Sequence, residues 1–338
     1  MKNSQKKLRK STVNNLINYA IVAIFYLVVT VMIKTGNASR HMRSMMVPIC
    51  IAVILAVSLN LIIGFLGELS LGHAAFMSIG AYTGGLLSKF ISNAFPQIPV
   101  AVRFPVSILA GGIMGAVFGT VVCLVVLRLK GDYLAIVTLA FGEILRSVLI
   151  NLDFTGGASG LKGVPQDASF NYGIILVFIT LFVIQNLAKS KHGRAIQALR
   201  DNTIAATSVG VNATKYKLMV FALSAFFAGM AGVLYSHNYS ILTAGTFDYN
   251  YSIEILVMVV LGGIGSIRGS VVAGALIVIL PEMLRSLQDY RMLIYAIVLI
   301  LMMIFTSNEK IRVFMVKYSP LRYIKKNLNL LKPEKEEN

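Results

Sequence analysis

The chain has 338 residues, of which 57% are hydrophobic and only 13% charged, and its mean hydropathy is +0.76. Soluble domains carry about 25% charged residues, so this composition cannot cover a water-facing surface and excludes a soluble enzyme or binding module. The net charge of +17 does not indicate a nucleic-acid partner, because Lys and Arg gather in the tails and a few loops, as in the cytoplasmic segments of membrane proteins.

Taken in order, the chain starts with a basic tail, residues 1–15, and runs into a first apolar stretch at 16–33. That stretch is long for a secretory signal and no Ala-x-Ala site follows it, so it reads as an uncleaved first span. Further apolar runs of membrane-crossing length fall at about 46–66, 71–90, 104–127, 132–150, 171–188, 216–236, 251–265, 268–285 and 291–306. The expected fold is therefore all-α: a polytopic membrane bundle of about ten transmembrane helices occupying 16–306. A polar tail, 307–338, completes the chain.

With the N-terminus in the cytoplasm, most Lys and Arg fall inside: at Arg128 and Lys130, between Lys189 and Lys217, and in the C-terminal tail. The bias places both termini in the cytoplasm, with an even number of spans. The loop carrying Lys34, Arg40 and Arg43 runs against it and is outweighed. Cys50 and Cys123 sit inside apolar runs and read as packing residues. Trp is absent, so Tyr must supply the interfacial anchors.

Small residues mark where helices approach closely. Gly111, Gly115 and Gly119 lie on one helix face, as do Ser224, Ala228 and Gly232. "GGIGSIRG" (Gly262–Gly269) has neither the GxGxxG nor the GK[ST] spacing and reads as a tight interhelical turn. The longest external loop, about 151–170, is rich in Gly and turn residues, either a true loop or partly re-entrant.

No catalytic constellation stands out. The four histidines are scattered, and HExxH, nucleophile-elbow and Walker A patterns are missing from the sequence. The chain reads as no enzyme, with no cofactor or metal of its own. Ionisable residues inside spans are rare and usually face a polar interior. Glu143 and Arg146 lie three apart on one helix face, able to pair. They either line a translocation path or pin two helices. Glu254 and His73 are further candidates for the path.

The stretch "HGRAIQALRDNTIAATSVGVNATKYKLMVFA" (His192–Ala222) interrupts the apolar pattern inside a cytoplasmic loop, 189–215. Asp201 or Asn202 can cap a short helix starting near Thr203, Gly210 can stop it in a left-handed turn, and Asn212 can cap the next span. Two turns alone are unstable in water, so packing must hold this helix. Ala205 and Ala206 are expected on its surface. It either inserts into a groove on another protein or lies on the lipid interface.

Three stretches together resemble the permease subunits of ABC importers for branched-chain amino acids, the leucine/isoleucine/valine family, LivM type. They are Ser58–Leu87, Lys130–Pro165, and Gly193–Gly232 continued by Leu261–Leu276. The similarity covers most of 45–305. It implies that the short cytoplasmic helix is a coupling helix on an ATPase, with Arg200, Asp201, Ala205, Ala206 and Gly210 at the contact. The wider Glu-Ala-Ala pattern is matched at Ala205, Ala206 and Gly210, but Ile204 stands where the Glu belongs. The resemblance further implies a second permease forming a heterodimer, two ATPase subunits carrying ATP and magnesium, an external solute-binding protein, and a bacterial cytoplasmic membrane. Related machinery carries urea, nucleosides or sugars. An ATPase-independent secondary transporter is the rival from another class.

Overall fold

The computed structural model describes residues 40–127, 129 and 131–283, with scattered positions between 19 and 35 and at 296, 297 and 300. The chain divides into two compact units, Met1–Ile279 and Leu280–Asn338, and the description below concerns the first. The expected span at 291–306 and both tails fall almost wholly outside the described residues, as does much of 16–33.

The helices, in order, are α1 (Arg40–Asn60), α2 (His73–Ala94), α3 (Val100–Val126), α4 (Asp132–Asn151), α5 (Phe170–Lys189), α6 (Lys191–Asp201), α7 (Thr203–Ser208), α8 (Ala213–Ser236), α9 (Tyr249–Gly262) and α10 (Ile267–Met283). A π-helical turn, Leu61–Leu66, prolongs α1. Among the described residues, five helices are long and apolar enough to cross a membrane: α1 with its extension, α3, α4, α5 and α8.

The remaining expected spans explain themselves by position. Helix α2 carries His73, Ser78, Ser88 and several glycines, and is buried along most of its length. A helix that meets protein on all sides needs no lipid-soluble surface. Helix α9 is a short apolar helix whose first residue, Tyr249, is 48% exposed and whose burial begins at Ser252. The outer helices are two-faced. In α3, Leu109, Ile113, Val117, Val121 and Leu124 are about half exposed on one side, a stripe suited to acyl chains. On the other side Gly111, Gly115 and Gly119 are buried.

That glycine face presses on α8. A methyl group added at Gly115 would meet the Ala225 carbonyl, and one at Gly229 would meet the Gly111 carbonyl. Ser224 and Gly232, on another face of α8, reach α1 and α2: the Ser224 hydroxyl donates to the Ser58 carbonyl at 2.6 Å, and Gly232 lies on the Met77 carbonyl. The small-residue spacing thus serves helix packing within the chain, on two faces of α8. Cys50 and Cys123 are free and buried.

The loop 151–170 is ordered by pairing. Short 3₁₀ turns lead into strand β1 (Leu161–Lys162), which pairs antiparallel with β2 (Ile241–Leu242). Arg103 clamps Asp167 at 2.6 Å, and the Lys89 ammonium donates to the Lys162 carbonyl at 2.8 Å. The Gly-rich sequence thus forms a small lid tied to α2 and α3.

Candidate functional site

The candidate in the loop 189–215 is built from three consecutive caps. Ser190 accepts hydrogen bonds from the amides of His192 and Gly193 and starts α6. Asn202 accepts from Ala205 N at 3.0 Å and starts α7, and Asn212 accepts from Lys215 N at 3.0 Å and starts α8. Gly210 has φ +88°, the left-handed stop, with the Val211 amide returned to the Ala206 carbonyl. Ile196, Leu199 and Ala206 are buried and hold the two helices against the bundle.

One residue differs from the sequence expectation. Ala206 faces inward at 4% exposure; the outward face is Ile204, Ala205 and Val209, with Ile204 77% and Val209 80% exposed. The helical period carries the side chain at 206 to the side opposite 204, and the large apolar pair supplies the protruding surface. Arg200 stays 40% exposed while also reaching the bundle. Its guanidinium donates to the Gly64 carbonyl at 2.9 Å and pairs with Asp201 at 2.9 Å. Asp201 is thereby engaged, and the capping role falls to Asn202. Helix α6 realises the helical spacing of Ile196 and Leu199, and the Ser190 cap fixes where it begins.

The intramembrane candidate centres on α4. Glu143 and Arg146 pair at 2.9 Å, each about one-third exposed. The other carboxylate oxygen of Glu143 accepts from the Tyr249 amide at 3.1 Å, at the first turn of α9. A carboxylate there opposes the positive end of the helix dipole. Asp248 caps the same helix through Tyr251 N at 2.9 Å. One residue later in α9, the Ser252 hydroxyl accepts from Ala74 N at 3.1 Å, and Thr138 of α4 accepts from Leu71 N at 3.0 Å. The middle of α4, the buried start of α2 and the first turn of α9 therefore meet at one polar junction.

His73 lies at this junction but is fully buried, 2.8 Å from the Ser58 hydroxyl and edge-on to Phe76. Glu254 is partly buried one turn along α9 from Tyr251. Glu143 and Arg146 are brought together as the spacing required. The Tyr249 amide was missed, although the Asp248 cap before an apolar run could have revealed the helix start. Helix-interior Gly111, Gly115 and Gly119 belong to packing and take no part in either site. Among the described residues, no group of three or more His, Cys, Asp or Glu could hold a metal ion.

A family described as the permease component of the branched-chain amino acid transport system matches residues 41–306. The chain belongs to that family. This permease is 35% identical over 290 residues to the high-affinity branched-chain amino acid transport system permease protein LivM of Escherichia coli strain K12, and equally to that of Salmonella typhimurium. The alignments cover 75% of this chain and 66% of each relative, so the chain spans just under two thirds of those proteins' length. It is also 28% identical over 282 residues to the ribose import permease protein RbsC of Haemophilus influenzae, covering 75% of this chain and 81% of that one. No solved structure matches. Family and apolar helices together make this permease a multi-pass membrane protein.

Proposed function

We propose that this permease is the membrane-spanning subunit of an ATP-binding cassette importer that brings branched-chain amino acids into the cell by alternating access. The observation that carries the reading is the capped α6–α7 unit, which presents Ile204 and Val209 to solvent on a frame packed by Ile196, Leu199 and Ala206. An apolar knob on a rigid frame suits a groove on a motor protein and gives a lever back into the bundle. Ala205 and Gly210 complete its outward surface. The proposed partners are a second permease, two ATPase subunits that hold ATP and magnesium, and an external solute-binding protein. The proposed setting is a bacterial cytoplasmic membrane, with both termini and the loop 189–215 in the cytoplasm.

In the cycle, closure of the ATPase pair displaces the knob, and the helices that meet at Glu143 shift between outward-facing and inward-facing arrangements. Differential affinity of the two arrangements for substrate makes this transport. The Glu143–Arg146 pair and Glu254 supply polar groups for the path, and buried His73 sets the start of α2 behind it. The 35% identity to LivM favours branched-chain substrates over the sugars suggested by more distant ribose permeases.

Copurification followed by uptake tests the reading. The permease should bring its ATPase subunits with it, and vesicles should take up leucine only with ATP and the binding protein. Uptake that persists without ATP or without any ATPase subunit would establish a secondary transporter instead.

A further inference from the structure

Helix α1 ends in a π-helical turn, Leu61–Leu66, with every residue of the turn buried and Gly67 closing it at φ +80°. The last carbonyls of a helix have no partner within it, and inside a membrane bundle each must find one. The Gly64 carbonyl finds Arg200, 136 positions away in the sequence, at the end of α6. The fit is close: a methyl group on Gly67 would run into the Arg200 side chain. A guanidinium at this helix C-terminus also complements the dipole.

One turn back along α1, Asn60 is fully buried and uses both ends of its amide. Its oxygen accepts from Gly265 N at 2.8 Å, in the turn between α9 and α10, and its nitrogen donates to the Ser270 hydroxyl at 2.9 Å, in α10. Gly64 lies against the Asn60–Gly265 bond, since a methyl group on it would meet the Asn60 amide oxygen and the Gly265 backbone. Beyond the turn, α9 runs to Tyr249, whose amide is held by Glu143.

We infer that Arg200, together with the Asn60 amide, is the transmission joint of this permease: it carries displacement of the α6–α7 knob through the π-turn to the α9–α10 turn, and so to the Glu143 junction. The inference deepens the importer reading and rests on it. Arg200 is a positioning residue; it acts on the path through Gly64 and Asn60. The π-turn suits the role, because single π-helical turns are found frequently at functional sites. Linked groups of this kind are shown by coupling measurements, not by contact alone.

The test uses the assembled complex with its companion subunits in proteoliposomes, reading leucine moved per ATP hydrolysed and the melting temperature of the complex. Arg200→Gln and Asn60→Ala should each lower the ratio by at least about fivefold, the low end of coupling between sites. The double variant should lose no more than the stronger single one, because both cut one line. Arg200→Lys should recover part of the ratio, since an ammonium still reaches one carbonyl. Ser270→Ala, which removes the acceptor of the buried Asn60 amide, should lower the ratio modestly and the melting temperature slightly while the complex still assembles, and it reads the joint even where Asn60→Ala fails to assemble. A wild-type ratio in Arg200→Gln or in Ser270→Ala, or fully additive losses in the double variant, overturns the inference. Wild-type uptake without ATP strikes the importer reading instead.

Discussion

The α2–α3–α8 core and the α6–α7 loop both depend on glycine and alanine, for opposite reasons. In the core, small residues are a matter of space. Gly80 on α2 lies on Gly229 of α8, Gly229 on Gly111 of α3, and Gly232 on the Met77 carbonyl, so backbone touches backbone. In the loop, Gly210 has nothing within 4 Å of where a side chain would start, yet its φ of +88° is closed to most residues. The core glycines are required by their neighbours; the loop glycine is required by its own backbone. A part that must not move is held by contact on all sides, and a part that must be gripped from outside is held by caps and left exposed.

The largest expected effect separates the two regions at once. Gly232→Leu places a branched side chain where even one carbon meets the Met77 carbonyl and lies 2.8 Å from the Ala81 amide. Backbone cannot step aside as a side chain can, so the loss should exceed the ~1–3 kcal/mol usual for overpacking. Thermal unfolding in detergent should show a collapse of folded yield. A near-normal melt would mean that α2 and α8 are held apart by something other than this contact.

Gly210→Val should behave differently. No atom stands in the way, so the melting of the bundle should stay within error of wild type. The cost is confined to the left-handed backbone, about 1–2 kcal/mol, and it falls on the stop of α7. Leucine uptake per ATP should drop, and Gly210→Asn should fall between, because Asn tolerates that conformation. Equal melting losses in Gly210→Val and Gly232→Leu would erase the distinction between conformational and steric glycine.

Much of this division was legible in the sequence. Length and hydropathy located α3, α4, α5 and α8, which present a face to lipid, and α1, which is the most apolar of the five although it is 94% buried within the protein. The spacing of Gly111, Gly115 and Gly119 announced a packing face, and Glu143 with Arg146 announced a pair, because the helical period alone decides both. The caps at Asn202 and Asn212 and the stop at Gly210 are local events, written within four residues of where they act. What stayed hidden is long-range. Nothing near Arg200 says that its partner is the Gly64 carbonyl, and nothing near Glu143 names the Tyr249 amide. The inward turn of Ala206 was hidden as well, since Ala-Ala carries no polarity to mark which residue faces the bundle. Ile204 and Val209 then became the protruding pair.

The smallest expected effect probes how the loop is held. Helix α7 has only six residues, too few to persist by hydrogen bonding alone. Its support is the inward Ala206, the Gly210 stop and the Asn202 cap, whose side chain reaches Ala205 N at 3.0 Å. Asn202→Ala removes one of the three, worth about 1 kcal/mol. The amides of Ala205 and Ala206 should then exchange hydrogen about fivefold faster, the factor that this free energy gives, while exchange in α8 stays as it was. Because Asn212 caps α8 by the same geometry, Asn212→Ala is the control: α8 has a long buried body to fall back on, and its exchange should hardly change beyond the first turn. Equal fraying of both helices would mean that the caps, and not the packing behind them, decide how firmly each segment is seated.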